Sequence, residues 1–248
     1  MNSGSNPIAK PLQKGNQHLM QLNLKTIENV GHDVYRIILS ADDELHYFAG
    51  QYLLVHMGED DARPFSIASS PSKDKFIELH IGAVPENPYA WDVIERLRTL
   101  GNIQVTLANG DAYFQPQEDK HIVLIAGGTG YSYLKSIAFE IAEQQLDAPV
   151  HIFWGAKQAS QLYEADIMQA LCDKYDNFYF HPVVEQAEAD WKGQTGLVHL
   201  AVIEQMQSLD SAQVYIAGPF PMAKVAREDF LKVGLNKACL FGDAYAFI

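Results

Sequence analysis

The chain has 248 residues, 48% of them hydrophobic, and a formal net charge of −13. That length can bury a proper core as one large domain or two small ones, and the negative charge sets both nucleic acid and anionic membrane surfaces against it as partners. Its two cysteines, Cys172 and Cys239, are too few for an all-cysteine iron–sulfur cluster or a four-thiolate zinc site, and they read as small buried side chains.

Residues 1–18 are polar and broken by Gly4, Pro7, Pro11 and Gly15, the pattern of a disordered leader or an expression remnant. There is no apolar run of membrane-spanning length and no charged-then-apolar start, so a cytoplasmic protein without membrane contact is expected. From Leu22 to Ser40 apolar and polar residues alternate about a turn at Asn29-Val30-Gly31, giving two antiparallel strands. Further short strands are expected at 52–56, 65–69, 76–81 and 103–107, separated by turn formers. Six closely spaced strands predict a small antiparallel β-barrel. One helix interrupts them, with Tyr89, Ala90, Val93, Ile94 and Leu97 on one face between Pro88 and Gly101.

After a polar junction at 115–120 the period changes. Strands at 122–126, 150–154, 178–184 and 214–217 alternate with helices running to about 145, from about 160 to 174, and around 197–206 and 223–232. This βαβ series predicts a parallel sheet with helices on both faces and a ligand beyond the C-terminal ends of the strands. The expected organisation is thus two-domain: a leader at 1–18, a six-stranded antiparallel β-barrel at 19–118, and a parallel-sheet α/β nucleotide-binding domain at 119–248.

Two stretches carry chemistry. In the first, the apolar run from Ile122 to Ala126 ends at Gly127-Gly128-Thr129-Gly130, and Leu134, Ile137, Ala138 and Ile141 then recur at helical spacing. A glycine turn opening a helix offers backbone N–H groups and the positive dipole end to a pyrophosphate. As G-x-G-x-x-G it matches at Gly128 and Gly130 but has Tyr133 in the third glycine's place, so a tight ligand-free connection is the competing reading. A P-loop and a nucleophile elbow are excluded, because Lys135-Ser136 follows Leu134 and Leu134 stands where the elbow needs glycine. In the second stretch, Arg63-Pro64-Phe65-Ser66, Arg63 is a permanent cation with a fork of donors, Phe65 an apolar face and Ser66 a hydroxyl. A strand with a surface arginine and a core phenylalanine fits the same residues. The nine histidines include no H-E-x-x-H and no close pair on one helical face, so no metal site is expected.

Taken in order, Ala49-Gly50-Gln51-Tyr52, Arg63-Pro64-Phe65-Ser66, Gly127-Gly128-Thr129-Gly130, Trp191-Lys192-Gly193-Gln194-Thr195-Gly196, Ala217-Gly218-Pro219-Phe220-Pro221-Met222 and the ending from Phe241 to Ile248 form a set. Over residues 20–248 the chain resembles the ferredoxin-NADP reductase superfamily, in particular its bacterial NAD(P)H:flavin oxidoreductase branch. The resemblance implies a barrel that binds flavin through Arg63, Pro64, Phe65 and Ser66, with the Ser66 hydroxyl reaching flavin N5 as the catalytic group. His80 and Gly82 would border the ring, although a barrel-edge histidine without a ligand fits as well. Gly127, Gly128, Thr129, Gly130, Gly218, Pro219, Phe220 and Met222 would hold NADH or NADPH. The implied reaction is hydride transfer from nicotinamide C4 to the N5 of FMN, riboflavin or FAD.

Departures from the pattern refine this. Relatives that retain FAD open a helix with Gly-x-x-Ser after the barrel, whereas here the region is Pro85-Glu86-Asn87-Pro88-Tyr89, and Pro88 lacks a donor. Flavin is therefore expected as a loosely held substrate that leaves reduced, for a flavin-consuming enzyme or oxygen. The rivals are a reductase with tightly held FAD serving a protein and a non-catalytic electron-transfer subunit. Lys157 reads as a contact to the NADPH 2′-phosphate or as a solvated lysine, and whether Tyr245 or Phe247 covers the flavin is open.

Overall fold

A computed structural model describes residues 19–248, and the leader expected at 1–18 lies outside the described residues. Strand β1 (Leu19–Gly31) folds back on β2 (Val34–Ser40). The turn is not Asn29-Val30-Gly31, which belongs to β1, but His32 and Asp33, at φ 48° and 59°. Two left-handed positions in a row give the twist a two-residue hairpin needs.

The barrel continues through β3 (Tyr52–His56), β4 (Ala62–Ser66), β5 (Ile77–Gly82), helix α1 (Pro88–Leu100) and β6 (Asn102–Asn109). Its strands lie in the order β4-β3-β6-β1-β2-β5, and a bridge between Ile67 and Leu79 joins the two end strands. The strand expected at 65–69 is instead Ala62–Ser66, because the ladder with β3 runs back through Leu53–Phe65, Leu54–Pro64 and Val55–Arg63. Pro64 has no N–H to give and is admissible because β4 is an edge strand. Leu53, Val55, Ile37 and Leu39 alternate inward, and Val93, Ile94 and Leu97 of α1 pack with them.

The rest of the chain forms β7 (His121–Gly127), α2 (Tyr131–Gln144), β8 (Val150–Ala156), α3 (Ala165–Lys174), β9 (Phe178–Val184), β10 (Gln194–Thr195), α4 (Val198–Met206), β11 (Ala212–Ala217), α5 (Phe220–Lys232) and β12 (Leu240–Phe241). The strands make one parallel sheet in the order β10-β9-β8-β7-β11-β12. Both faces of β7 are buried: Ile122, Leu124 and Ala126 pack with α2, Val123 and Ile125 with α4 and α5. This is why that strand reads as an unbroken apolar run. Helix α3 begins at Ala165 rather than near 160; Tyr163 and Glu164, just before it, face the barrel, where Tyr163 meets His80 and Glu164 lies 3.7 Å from His80 and 3.8 Å from Arg36.

Helix α2 departs most from the sequence reading. Its apolar stripe, Leu134, Ile137, Ala138 and Ile141, faces the sheet, but the opposite face is not solvated: Tyr131, Lys135, Ser136 and Glu140 are buried too. That face docks on the barrel. The hydroxyls of Ser70 and Ser72 donate to the Glu140 carboxylate at 2.7 and 2.5 Å, and the Ser136 hydroxyl donates to the Ser69 carbonyl at 2.7 Å. Burying Lys135, Ser136 and Glu140 is tolerable because each has a partner, whereas the Tyr131 hydroxyl has none among the described residues. Gly50, at φ 92°, lets the barrel approach closely, since a Cβ there would stand 3.0 Å from the Tyr133 ring.

Candidate functional site

The sheet order puts β8 on one side of β7 and β11 on the other. The connections leaving β7 and β11 therefore diverge, and the crevice between them is where open α/β sheets take a ligand. Two loops floor it. A Cβ on Gly130 would stand 2.4 Å from the Ala217 carbonyl oxygen, and one on Gly127 2.7 Å from Met222 Sδ. The glycine turn and the stretch at 217–222, where β11 passes into the first turn of α5, are thus in contact, and at Gly130, which meets backbone, only glycine permits it. Gly128, at φ 55°, has nothing within 4 Å of its Cβ position and is exposed, as are Thr129, Pro219 and Phe220. No side chain caps the 3-10 turn Gly128–Gly130 that leads into α2, and the Tyr131 N–H is already donated to the Gly128 and Thr129 carbonyls, so it is the glycine turn, not the first turn of α2, that faces an anion such as a nucleotide phosphate.

The barrel supplies the other wall. Pro64 and Gly82 are exposed, and Phe65 and Ser66 half-buried. A Cβ on Gly82 would lie 3.5 Å from the Thr129 methyl, so the end of β5 abuts the glycine turn. The Ser66 hydroxyl, on the edge strand β4, has no partner among the described residues. Arg63 is committed elsewhere. Its guanidinium donates to Asp61 from Nε at 2.8 Å, to the Pro88 carbonyl at 3.2 Å and to the Tyr89 carbonyl, and it lies 5.1 Å from the centre of the Tyr89 ring. It latches β4 to the start of α1.

His80 requires a correction. Its ring is 0% exposed, Nε2 donates to Glu78 at 3.0 Å, and Nδ1 lies 3.1 Å from the Tyr163 hydroxyl. With both nitrogens engaged and the ring stacked on Tyr131 at 5.6 Å, it belongs to the contact between the halves and offers no polar atom to the cleft. Its surroundings carry residues the sequence reading did not single out. Glu78 also accepts from Arg36 Nε at 2.8 Å and Lys135 Nζ at 2.9 Å, and Lys135 donates to Glu164 at 2.8 Å. Burial alone would raise the Glu78 carboxyl, but the hydrogen bond from His80 and the Lys135 charge outweigh it and hold the group well below the usual carboxylate range. Glu78, His80 and Glu164 also form a ligand set of the kind that holds a metal ion, and Lys135 brings the positive charge to it. No spacing rule pairs residues 78, 135 and 164.

Residues 21–112 match the oxidoreductase FAD-binding domain family, and residues 124–228 the oxidoreductase NAD-binding domain family. The chain is 43% identical to an NAD(P)H-flavin reductase of Vibrio harveyi over 235 residues, covering 92% of this chain and 99% of that protein. It belongs to the NAD(P)H-flavin reductase family. A second member, from Aliivibrio fischeri, is 42% identical over 231 residues, with 91% and 98% covered. The fold is shared with the ferredoxin reductase in carbazole 1,9a-dioxygenase, at a TM-score of 0.77 and 23% identity over 92% of this chain and 69% of that one. It is shared as well with an Amycolatopsis cytochrome P450 reductase, at a TM-score of 0.83 and 23% identity over 91% and 69%.

In this member of the flavin reductase family Arg63 to Ser66 and Gly82 lie in the FAD-binding stretch, the glycine turn and Gly218 to Met222 in the NAD-binding stretch. The C-terminal aromatics have separate places. The Tyr245 hydroxyl donates to the Ala223 carbonyl at 3.0 Å, so this ring docks on α5, whereas Phe247, 73% exposed, stacks on Phe220 with centroids 6.0 Å apart. Asp243 turns back toward the barrel beside Gly110 and Tyr52, and burial together with the Asp111 charge pushes its carboxyl up to about 6. Lys157 is exposed at the end of β8.

Proposed function

We propose that this chain reduces free FMN, riboflavin or FAD with NADH or NADPH and releases the reduced flavin in the cytoplasm for a consuming enzyme. The observations that support this reading are the unpartnered Ser66 hydroxyl on the edge strand β4 and the contact between the end of β5 and the glycine turn. When both ligands are bound, they supply direct hydride transfer from nicotinamide C4 to flavin N5. The chain's own part is to bind and orient. Gly127 to Gly130 and the loop at 217–222 hold the nicotinamide nucleotide. Pro64, Phe65 and Gly82 make a largely apolar wall for the flavin ring and keep water from it. Ser66 directs its O–H at N5, where negative charge builds, and Arg63 stiffens the strand from behind. Because Arg63 is spent on Asp61 and the start of α1, and Pro88 opens that helix without a donor, flavin is gripped by its ring and leaves readily.

The test is an absorbance spectrum of the purified protein, followed by steady-state oxidation of both nicotinamides against the three flavins. A colourless protein that oxidises NAD(P)H only when flavin is added is expected. A flavin band that survives gel filtration points to a tightly held FAD, and no oxidation with any flavin returns the protein to the electron-transfer subunits.

A further inference from the structure

We infer that Lys135 is a positioning residue: held between Glu78 of the barrel and Glu164 of the α/β half, it sets the gap across which flavin and nicotinamide meet. The inference rests on the function proposed above. Its basis is a match of two spacings. Tyr131 and Lys135 are four apart on α2 and share a face, about 6 Å apart along the axis. Glu78 and His80 are two apart on β5 and also share a face, about 6.6 Å apart. The pairs meet residue for residue, Tyr131 stacked on His80 and Lys135 bonded to Glu78. Two points of contact fix the helix against the strand both along its length and in rotation.

Both elements lead directly to the cleft. Tyr131 follows Gly130 of the glycine turn and stacks on Trp154 at 3.9 Å, and the Trp154 indole N–H donates to the Gly128 carbonyl at 3.0 Å. On the barrel side, Leu79, between Glu78 and His80, is bridged to Ile67, the residue after Ser66. A shift of α2 along β5 therefore moves the glycine turn relative to Ser66 by the same amount. Lys135 is only 6% exposed, and its charge is matched by a carboxylate from each half, so the two halves share one buried cation. A surface ion pair would slide; a buried one, with Glu78 further tied to Arg36 and His80, has a single arrangement.

The test compares Lys135→Met with Lys135→Arg, and adds Glu164→Gln as a milder loosening that keeps the shape of the site. In anaerobic single-turnover mixing of protein, FMN and the preferred nicotinamide, Lys135→Met should slow flavin reduction by about 10- to 100-fold while the KM for each ligand changes little. Glu164→Gln should slow it less, and Lys135→Arg should restore most of the rate. Independently of activity, hydrogen exchange in the free protein should quicken at 76–84 and 128–137 in Lys135→Met and Glu164→Gln, with β1 and β2 unchanged. A normal rate in Lys135→Met, or an equal loss in Lys135→Arg, overturns the inference. Should Lys135→Met fail to fold, a normal rate and normal exchange in Glu164→Gln overturn it. A wild-type protein inactive with every flavin would refute the proposed function instead, and the exchange measurement would still decide whether Lys135 fixes the two halves.

Discussion

Replacing Ser66 with alanine is expected to lower the rate of flavin reduction by about 100-fold, the scale on which one donor to a developing charge acts, and to leave flavin affinity nearly unchanged. The substitution keeps the Cβ, so the pairing of Ser66 with Tyr52 and the packing of Phe65 beside it are preserved. The hydroxyl has no partner among the described residues, so its removal orphans nothing and stability should hold. A donor aimed at charge that appears only during transfer acts on the transition state more than on the bound ligand, which places the loss in kcat and not in KM. Single-turnover absorbance of the flavin, with its affinity measured by fluorescence quenching, separates the two. Wild-type turnover in this variant would remove Ser66 from the mechanism.

Gly130→Ala should raise the KM for NAD(P)H more than tenfold and leave the KM for flavin alone, and the overpacking should lower stability by about 1–3 kcal/mol. Gly130 has φ −55°, which alanine adopts without strain, so the backbone itself does not object. The obstacle is the Ala217 carbonyl, 2.4 Å from the new Cβ. Either the glycine turn or the loop at 217–222 must move, and these are the two surfaces that hold the nicotinamide nucleotide. Thermal unfolding should show a folded protein with a lowered midpoint. Unaltered NAD(P)H kinetics would mean that the two loops do not form one floor.

Much of this was legible beforehand because the signals are local. The apolar run into Gly127, the alternation in the barrel strands and the change of period after residue 115 each report backbone geometry within a few residues. What escaped reading depends on partners distant in sequence. The polar face of α2 looks the same whether water or a second domain covers it, and Glu140 beside Ser70 and Ser72 shows that it is the latter. His80 lies on the strand expected, yet the carboxylate two residues before it turns the ring into the interface. Asn29-Val30-Gly31 has turn-forming residues, but the hairpin closes at His32 and Asp33, where two successive left-handed positions match the strand twist. The expected start of α3 near 160 likewise gave way to Ala165, with Tyr163 and Glu164 before it turned to His80 and Arg36 of the barrel.

The most direct test of the whole account is a crystal structure of the protein with flavin and an oxidised nicotinamide nucleotide both bound. The isoalloxazine ring should lie along Pro64 to Ser66 with N5 within hydrogen-bonding distance of the Ser66 hydroxyl, and the nicotinamide should stack on it from the side of Gly127 to Gly130. Flavin seated away from β4, or a nicotinamide ring out of contact with it, would contradict the account.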